Sequence, residues 1–279
     1  MTKENCIMDG CLTSKETVEK YITGCDAKVN MPAYKLLIKA VMAGAMIALG
    51  AAGSNVAAHN ISNVGLSRLV AGVVFPMGLM MVVMMGAELF TGDCLMIMGT
   101  VEKKHRVTDL IRVLCGVYVG NLVGGILIAA MAYYCGQFNY TSGLLGAYTI
   151  RVAAGKTALD FGPALVSGIL CNILVCAAVL LALSSKDVTG KLLACFFIIL
   201  LFVTSGYEHC VANMYYISAG LFAKLNPDYV AKCIEAYGMT QAQIDGLSIG
   251  GFVMNLIPVT IGNIIGGSVC VGLPMVKTK

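Results

Sequence analysis

The sequence predicts an all-α membrane protein of six transmembrane helices, arranged as two inverted three-helix repeats with helices 2 and 5 broken. Three observations carry this expectation. The 279 residues are 58% hydrophobic and only 12% charged, against about 25% charged in a soluble domain. Two apolar runs are too long for a single span and are interrupted by polar residues near their middles. A six-residue motif, Gly120-Asn121-Leu122-Val123-Gly124-Gly125, returns as Gly262-Asn263-Ile264-Ile265-Gly266-Gly267.

Taken in order, Thr13-Ser14-Lys15-Glu16 fits a capping box and opens an amphipathic helix to about Lys28, expected to lie at the membrane surface as an anchor. The first span is placed at Tyr34 to Ala58, with His59 at its end as a solvated interface residue. From Leu69 to Glu102 there are 34 residues without Lys or Arg. As one helix that run is about 51 Å long, against a hydrocarbon core of about 30 Å. Its middle, Gly86-Ala87-Glu88-Leu89-Phe90-Thr91-Gly92-Asp93, reads as a break and restart, which is tolerated at membrane depth only inside protein or along a cavity.

After a basic loop (Lys103, Lys104, His105, Arg106), the third span covers Leu110 to Tyr133. A polar connection with Arg151, Lys156 and Asp160 leads to the fourth span, Pro163 to Leu183, which contains Asn172. The fifth run, Leu192 to Ala223, has 32 residues without a base and is interrupted at Thr204-Ser205-Gly206-Tyr207-Glu208-His209. A polar loop over 224–246 precedes the last span, Leu247 to Leu273. Residues 1–32 are read as a cytoplasmic N-terminal segment, 33–274 as the transmembrane domain and 275–279 as a cytoplasmic tail.

Both copies of the repeated motif contain GxxxG, which lets helices approach closely. Three spans per half require opposite insertion of the two halves, an arrangement in which broken helices meet at the midplane. Fourteen of the nineteen Lys and Arg fall on the side of the termini, so both termini are expected in the cytoplasm of a multi-pass cell-membrane protein. Met1 is followed by a polar segment, so no cleaved signal is expected. The lipid bilayer is the expected environment. No basic stripe interleaved with aromatics points to nucleic acid. Twelve scattered cysteines with no CxxC are read as small apolar residues; neither a metal nor a cofactor is expected.

On residues alone, each candidate has a plain reading beside its functional one. Glu208 and His209 are expensive at membrane depth unless they face a cavity or a partner, yet such a pair also serves as an interhelical hydrogen bond. Asn172 serves as helix glue, Thr91 as a helix-end cap, Phe75, Leu79 and Phe202 as packing, and Lys156 as a solvated loop charge.

Three stretches raise the functional case. Gly86-Ala87-Glu88-Leu89-Phe90-Thr91 and Gly206-Tyr207-Glu208-His209-Cys210-Val211-Ala212-Asn213-Met214 resemble the two signature loops of the formate–nitrite transporter family. Asn255-Leu256-Ile257-Pro258-Val259-Thr260-Ile261-Gly262-Asn263 resembles its final-span signature, and the similarity runs from about Leu36 to Gly272. The resemblance implies an aquaporin-like protomer, a homopentamer, and one pore per protomer for a small monovalent anion: formate first, with nitrite or hydrosulfide as alternatives. It implies that Leu89, Phe90 and Thr91 form the loop breaking helix 2. It also implies that Phe75, Leu79 and Phe202 are the apolar constrictions and His209 the central histidine, and that Lys156, Asn172 and Glu208 collect the anion and tune that histidine. In formate-channel members two small hydroxylated residues often follow the threonine; here Gly92-Asp93 follow Thr91.

Apolar collars block ions by dewetting, so passage needs compensating donors or loss of the charge. Histidine can supply a proton near neutral pH. The expectation is that the anion enters near Lys156, reaches His209 and crosses the collars as a weak acid, with Glu208 holding the imidazole or compensating its charge. A membrane enzyme would need a nucleophile–base set or a ligand cluster, which one histidine among scattered cysteines does not supply. An aquaporin-type neutral pore would carry paired Asn-Pro-Ala loops, which are missing.

Overall fold

The computed structural model describes residues 10–279; Lys3 and Cys6 lie outside the described residues. Thr13 caps α1 (Ser14–Val29) in the expected box, its N–H donating to Glu16 at 2.8 Å and its hydroxyl accepting the Glu16 N–H at 3.3 Å. The first span, α2 (Ala33–Ala58), follows. The second begins earlier than expected, as α3 (Val64–Met85), and bends at Phe75-Pro76 before the break. It resumes as α4 (Phe90–Val101). The third span is α5 (Val107–Tyr134) and the fourth α7 (Phe161–Ser184), with α6 (Leu144–Thr157) between them. The fifth is α8 (Val188–Ser205) followed by α9 (Cys210–Ala223). Two short helices, α10 (Pro227–Tyr237) and α11 (Gln241–Gly246), precede the last span, α12 (Ile249–Lys277). Pro258 lies inside α12, and the turns widen over Ile265–Gly272. Six of these helices or helix pairs are long and apolar enough to cross a membrane.

The repeated motif packs as its glycines predict. Gly120 and Gly124 of α5 lie against the α2 backbone from Leu37 to Ala45, and Gly262 and Gly266 of α12 lie against α7 from Leu165 to Ile169. A β-carbon at any of the four would collide with main-chain or Cβ atoms, so each third span can seat on its first span only because these positions carry no side chain.

Both ends of the described chain lie on one face. The Leu12 N–H donates to the Ser184 carbonyl at 2.8 Å, and Lys279 pairs with Glu102 at 3.0 Å. On the other face His59 bonds Thr141 at 2.7 Å and Tyr237 donates to the His59 carbonyl at 3.2 Å. The two broken spans therefore run in opposite directions between the faces.

Four expectations need correction. The connection around Arg151 and Lys156 is not a plain loop but α6, whose buried side (Leu145, Ala147, Ile150, Ala153) packs against α9. The stretch 224–246 forms α10 and α11 rather than a loop. His59 is half-buried, with both ring nitrogens hydrogen-bonded. The last helix runs to Lys277, beyond the expected boundary at 274. In addition, α1 does more than anchor: it packs on α7 and α4, and Tyr21 donates to the Gly92 carbonyl at 2.9 Å.

Candidate functional site

The two breaks share one backbone design. Helix α3 ends on Gly86 (φ 63°, ψ 37°) and α8 ends on Gly206 (φ 75°, ψ 30°). Both are left-handed, the conformation glycine supplies at a helix C-terminus. Three residues on, Leu89 (φ −115°, ψ 122°) and His209 (φ −112°, ψ 116°) take the same extended conformation and start the next helix.

Leaving the helix strands backbone groups away from water, and each must find a partner. The asparagine of the repeated motif supplies it in both halves. Asn121 accepts the Phe90 N–H at 2.9 Å and donates to the carbonyls of Ala40 (2.7 Å) and Glu88 (3.0 Å). Asn263 accepts the Cys210 N–H at 2.9 Å and donates to the carbonyls of Gly168 (2.8 Å) and Glu208 (3.0 Å). Each amide thus ties a break to two neighbouring helices. Neither asparagine stood out as a site residue in the sequence, although the repeated motif that carries them did.

Between the breaks, Thr91 and His209 meet: Thr91 Oγ1 lies 2.9 Å from His209 Nε2. The Ala212 N–H donates to Nδ1 at 3.0 Å, so the histidine caps its own helix. That bond fixes the tautomer, because a ring nitrogen that accepts carries no proton. In the neutral ring the proton is on Nε2 and is donated to Thr91, whose own hydroxyl proton remains for another acceptor. Asn172 stands behind this pair, not beside it: fully buried, it donates to the carbonyls of Thr91 (3.1 Å) and Asn263 (2.6 Å). It positions the threonine and links the two halves.

A cavity lies on each side of the waist. One of about 360 Å³ on the face of the termini is lined by Leu79, Leu89, Lys28 and Asp93. One of about 190 Å³ on the other side is lined by Phe75, Phe202, Lys156 and His209. Phe75 and Phe202 meet edge to face at 5.8 Å, and the Phe202 ring lies 5.9 Å from the imidazole. Four of the five expected constriction residues therefore line a cavity. Phe90 lines neither and packs on Tyr118 at 4.9 Å.

Charge is arranged to match. On the far side Lys156 pairs with Glu208 at 2.8 Å, and the second Glu208 oxygen accepts from Asn213 at 2.6 Å. Asn213 also donates to Asn255 at 2.8 Å, and Asn255 donates back to the Lys156 carbonyl at 2.8 Å. The carboxylate is thus spent on Lys156 and Asn213 and does not hold the imidazole, the first of the two roles expected of it; Thr91 and Ala212 do that. On the near side Glu88, which sits in its break as Glu208 does in the other, pairs with Lys28 at 2.6 Å, and Lys28 also pairs with Asp93. Burial alone would lower the Lys28 ammonium, but Asp93 and Glu88 hold it above the ordinary lysine range. The sequence left Lys28 unremarked, since a lysine near the end of an amphipathic helix carries no sign of what it reaches.

Paired broken spans meeting at a hydrogen-bonded waist between two cavities, within six apolar spans, define a multi-pass membrane protein of the transport class. Residues 15–277 match the family described as formate/nitrite transporter. The chain belongs to the formate/nitrite transporter family, and the relatives it matches are named as channels and transporters. It is 40% identical to the formate channel FocA of Haemophilus influenzae over 212 residues, covering 75% of this chain and 73% of that protein. It is 36% identical to a probable formate transporter of Methanothermobacter thermautotrophicus over 264 residues, covering 88% and 89%. Among solved structures it resembles a pentameric formate channel with formate bound, with a TM-score of 0.77 and 32% identity, over 88% of this chain and 98% of that one.

Proposed function

We propose that this protein is a membrane channel, not an enzyme, for small monovalent anions, with formate as the favoured substrate and one pore in each protomer of a homopentamer. The observation that carries the reading is the Thr91–His209 pair, hydrogen-bonded between a cavity lined by Leu79 and Leu89 and one lined by Phe75 and Phe202. The relatives named for formate and the pentameric neighbour support the choice of substrate and assembly. The matched capping of the two breaks supports reading the halves as inverted repeats, and the excess of basic residues on the terminal face supports a cytoplasmic location for it. Nitrite and hydrosulfide are the competing substrates within the family.

In this mechanism the anion passes Lys156, sheds water at Phe75 and Phe202, and binds at the waist. The Thr91 hydroxyl, itself accepting from Nε2–H, donates to the anion and replaces part of its hydration, which a dry collar alone cannot do. Crossing as a weak acid needs a proton from Nε2 through Thr91 to the anion oxygen. The neutral ring has one proton to give, so it first takes a second from cavity water at Nδ1, which opens the Ala212 bond; Thr91 Oγ1 then receives the Nε2 proton as it passes its own to the anion, and the ring is left neutral with its proton on Nδ1.

His209→Asn tests the relay. Asparagine is a good N-cap and can still donate to Thr91, but it does not titrate between pH 5 and 8. In proteoliposomes, wild-type formate flux above the protein-free leak is expected to rise as pH falls from 8 to 5, while H209N shows a flat profile. An unchanged pH dependence in H209N rules the relay out.

A further inference from the structure

Lys156, the cation expected to collect the anion, has its charge matched by Glu208 at 2.8 Å. Two other cations on the same side are not so matched. A wider cavity of about 700 Å³ opens toward that face, lined by Arg68 and Arg151 together with Tyr148 and Tyr237. It adjoins the inner cavity of the waist, and Arg68 borders both. Neither lining includes a carboxylate. Among the described residues no Asp or Glu lies within ion-pair distance of Arg68 or Arg151. Arg151 is held over the Tyr237 ring at 4.9 Å.

The place of Arg68 is set by the second break. Its guanidinium occupies the space where a Gly206 side chain would stand, with Cζ 3.2 Å from the position of a β-carbon. The left-handed glycine that ends α8 therefore also makes room for the cation at the threshold of the inner cavity.

We propose that Arg68 is the anion-binding residue of the mouth opposite the termini, taking a small planar oxyanion by two parallel N–H donors before it reaches Thr91 and His209, with Arg151 adding to the attracting field. The inference rests on the channel reading above. A guanidinium fork matches the two oxygens of a carboxylate or nitrite, whereas an ammonium acts as a point charge. An anion with a single heavy atom, such as hydrosulfide, has no second oxygen to match the fork and gains much less from it. A cation-lined cleft between low-dielectric walls concentrates anions most strongly when salt is low.

The test uses full-length protein in vesicles selected so that a tag at Lys279 is protease-protected, leaving the Arg68 face outside. Initial formate and hydrosulfide uptake is measured against concentration at low and at high ionic strength. Arg68→Gln is expected to raise half-saturating formate about tenfold at low salt, with the maximal rate within about twofold, and the gap is expected to close at high salt as screening takes over. Arg68→Lys should keep the salt dependence and hydrosulfide uptake but weaken formate. Half-saturation unchanged in R68Q at low salt overturns the proposal. Should R68Q fail to assemble, R68K decides: equal changes for formate and hydrosulfide overturn it. Wild-type vesicles that take up neither anion would instead sink the channel reading itself.

Discussion

Asn121 and Asn263 show how much of a membrane break rests on one neutral side chain. Each satisfies one N–H and one carbonyl that its break leaves open, and donates a second bond to a carbonyl of a neighbouring span. Removing a partner from a buried polar group costs about 1–3 kcal/mol. Asn121→Ala and Asn263→Ala are therefore each expected to lower the unfolding midpoint of the detergent-solubilised protein by something on the order of 5–10 °C. Because the bonds are matched one for one, the two losses should be similar. A silent N121A beside a damaging N263A would refute the equivalence of the breaks. The repeat was visible as a string, but its meaning was read as helix packing. The glycines do pack as read; the asparagine between them escaped notice because an amide's partners, unlike a glycine's missing side chain, depend on which backbone the fold brings near.

At the scale of elements, α1 is latched rather than laid on the surface. Lys28 reaches both Glu88 and Asp93, and Tyr21 reaches the Gly92 carbonyl, so one helix outside the spans holds three groups of the first break. Among the described residues, Lys28→Met leaves two buried carboxylates with only Lys39, 3.9 Å from Glu88, within ion-pair distance. Removing one partner of a buried ion pair costs about 3–5 kcal/mol. Hydrogen exchange in Ser14–Val29 is expected to speed up in K28M at neutral pH. Exchange unchanged at neutral pH would mean the ion pairs do not hold the helix. The spans and breaks were legible because a base-free run longer than the bilayer has few ways to fold. Helices α6 and α10 were not. The buried side of α6 is mainly Gly, Ala and Thr with only Leu145 and Ile150 for contrast, and its charges suggested a loop. The hydrogen-bond partners of Glu208 were hidden for a related reason: adjacency in sequence suggested His209, while the chain turns the two side chains to different neighbours.

For the whole molecule, the decisive question is whether charge crosses the waist. The two halves place a Lys–Glu pair on each side, Lys28–Glu88 and Lys156–Glu208, with Thr91 and His209 between. In the proposed mechanism, apolar collars on either side of neutral donors suit a solute that is charged in both cavities and uncharged between them. Moving one elementary charge across the membrane couples to the potential by about 2.3 kcal/mol per 100 mV, equivalent to roughly a 50-fold change in equilibrium accumulation, since about 1.4 kcal/mol is tenfold. A weak acid crossing whole feels none of this. Formate accumulated at steady state in vesicles holding a fixed potassium diffusion potential should therefore follow the pH difference across the membrane and ignore the voltage. Each formate taken up should deliver one proton, read by a trapped pH dye. Accumulation that tracks voltage at constant pH would mean the anion crosses as such. His209 and Thr91 would then act as hydrogen-bond donors alone, and H209N would change rate without changing the pH profile.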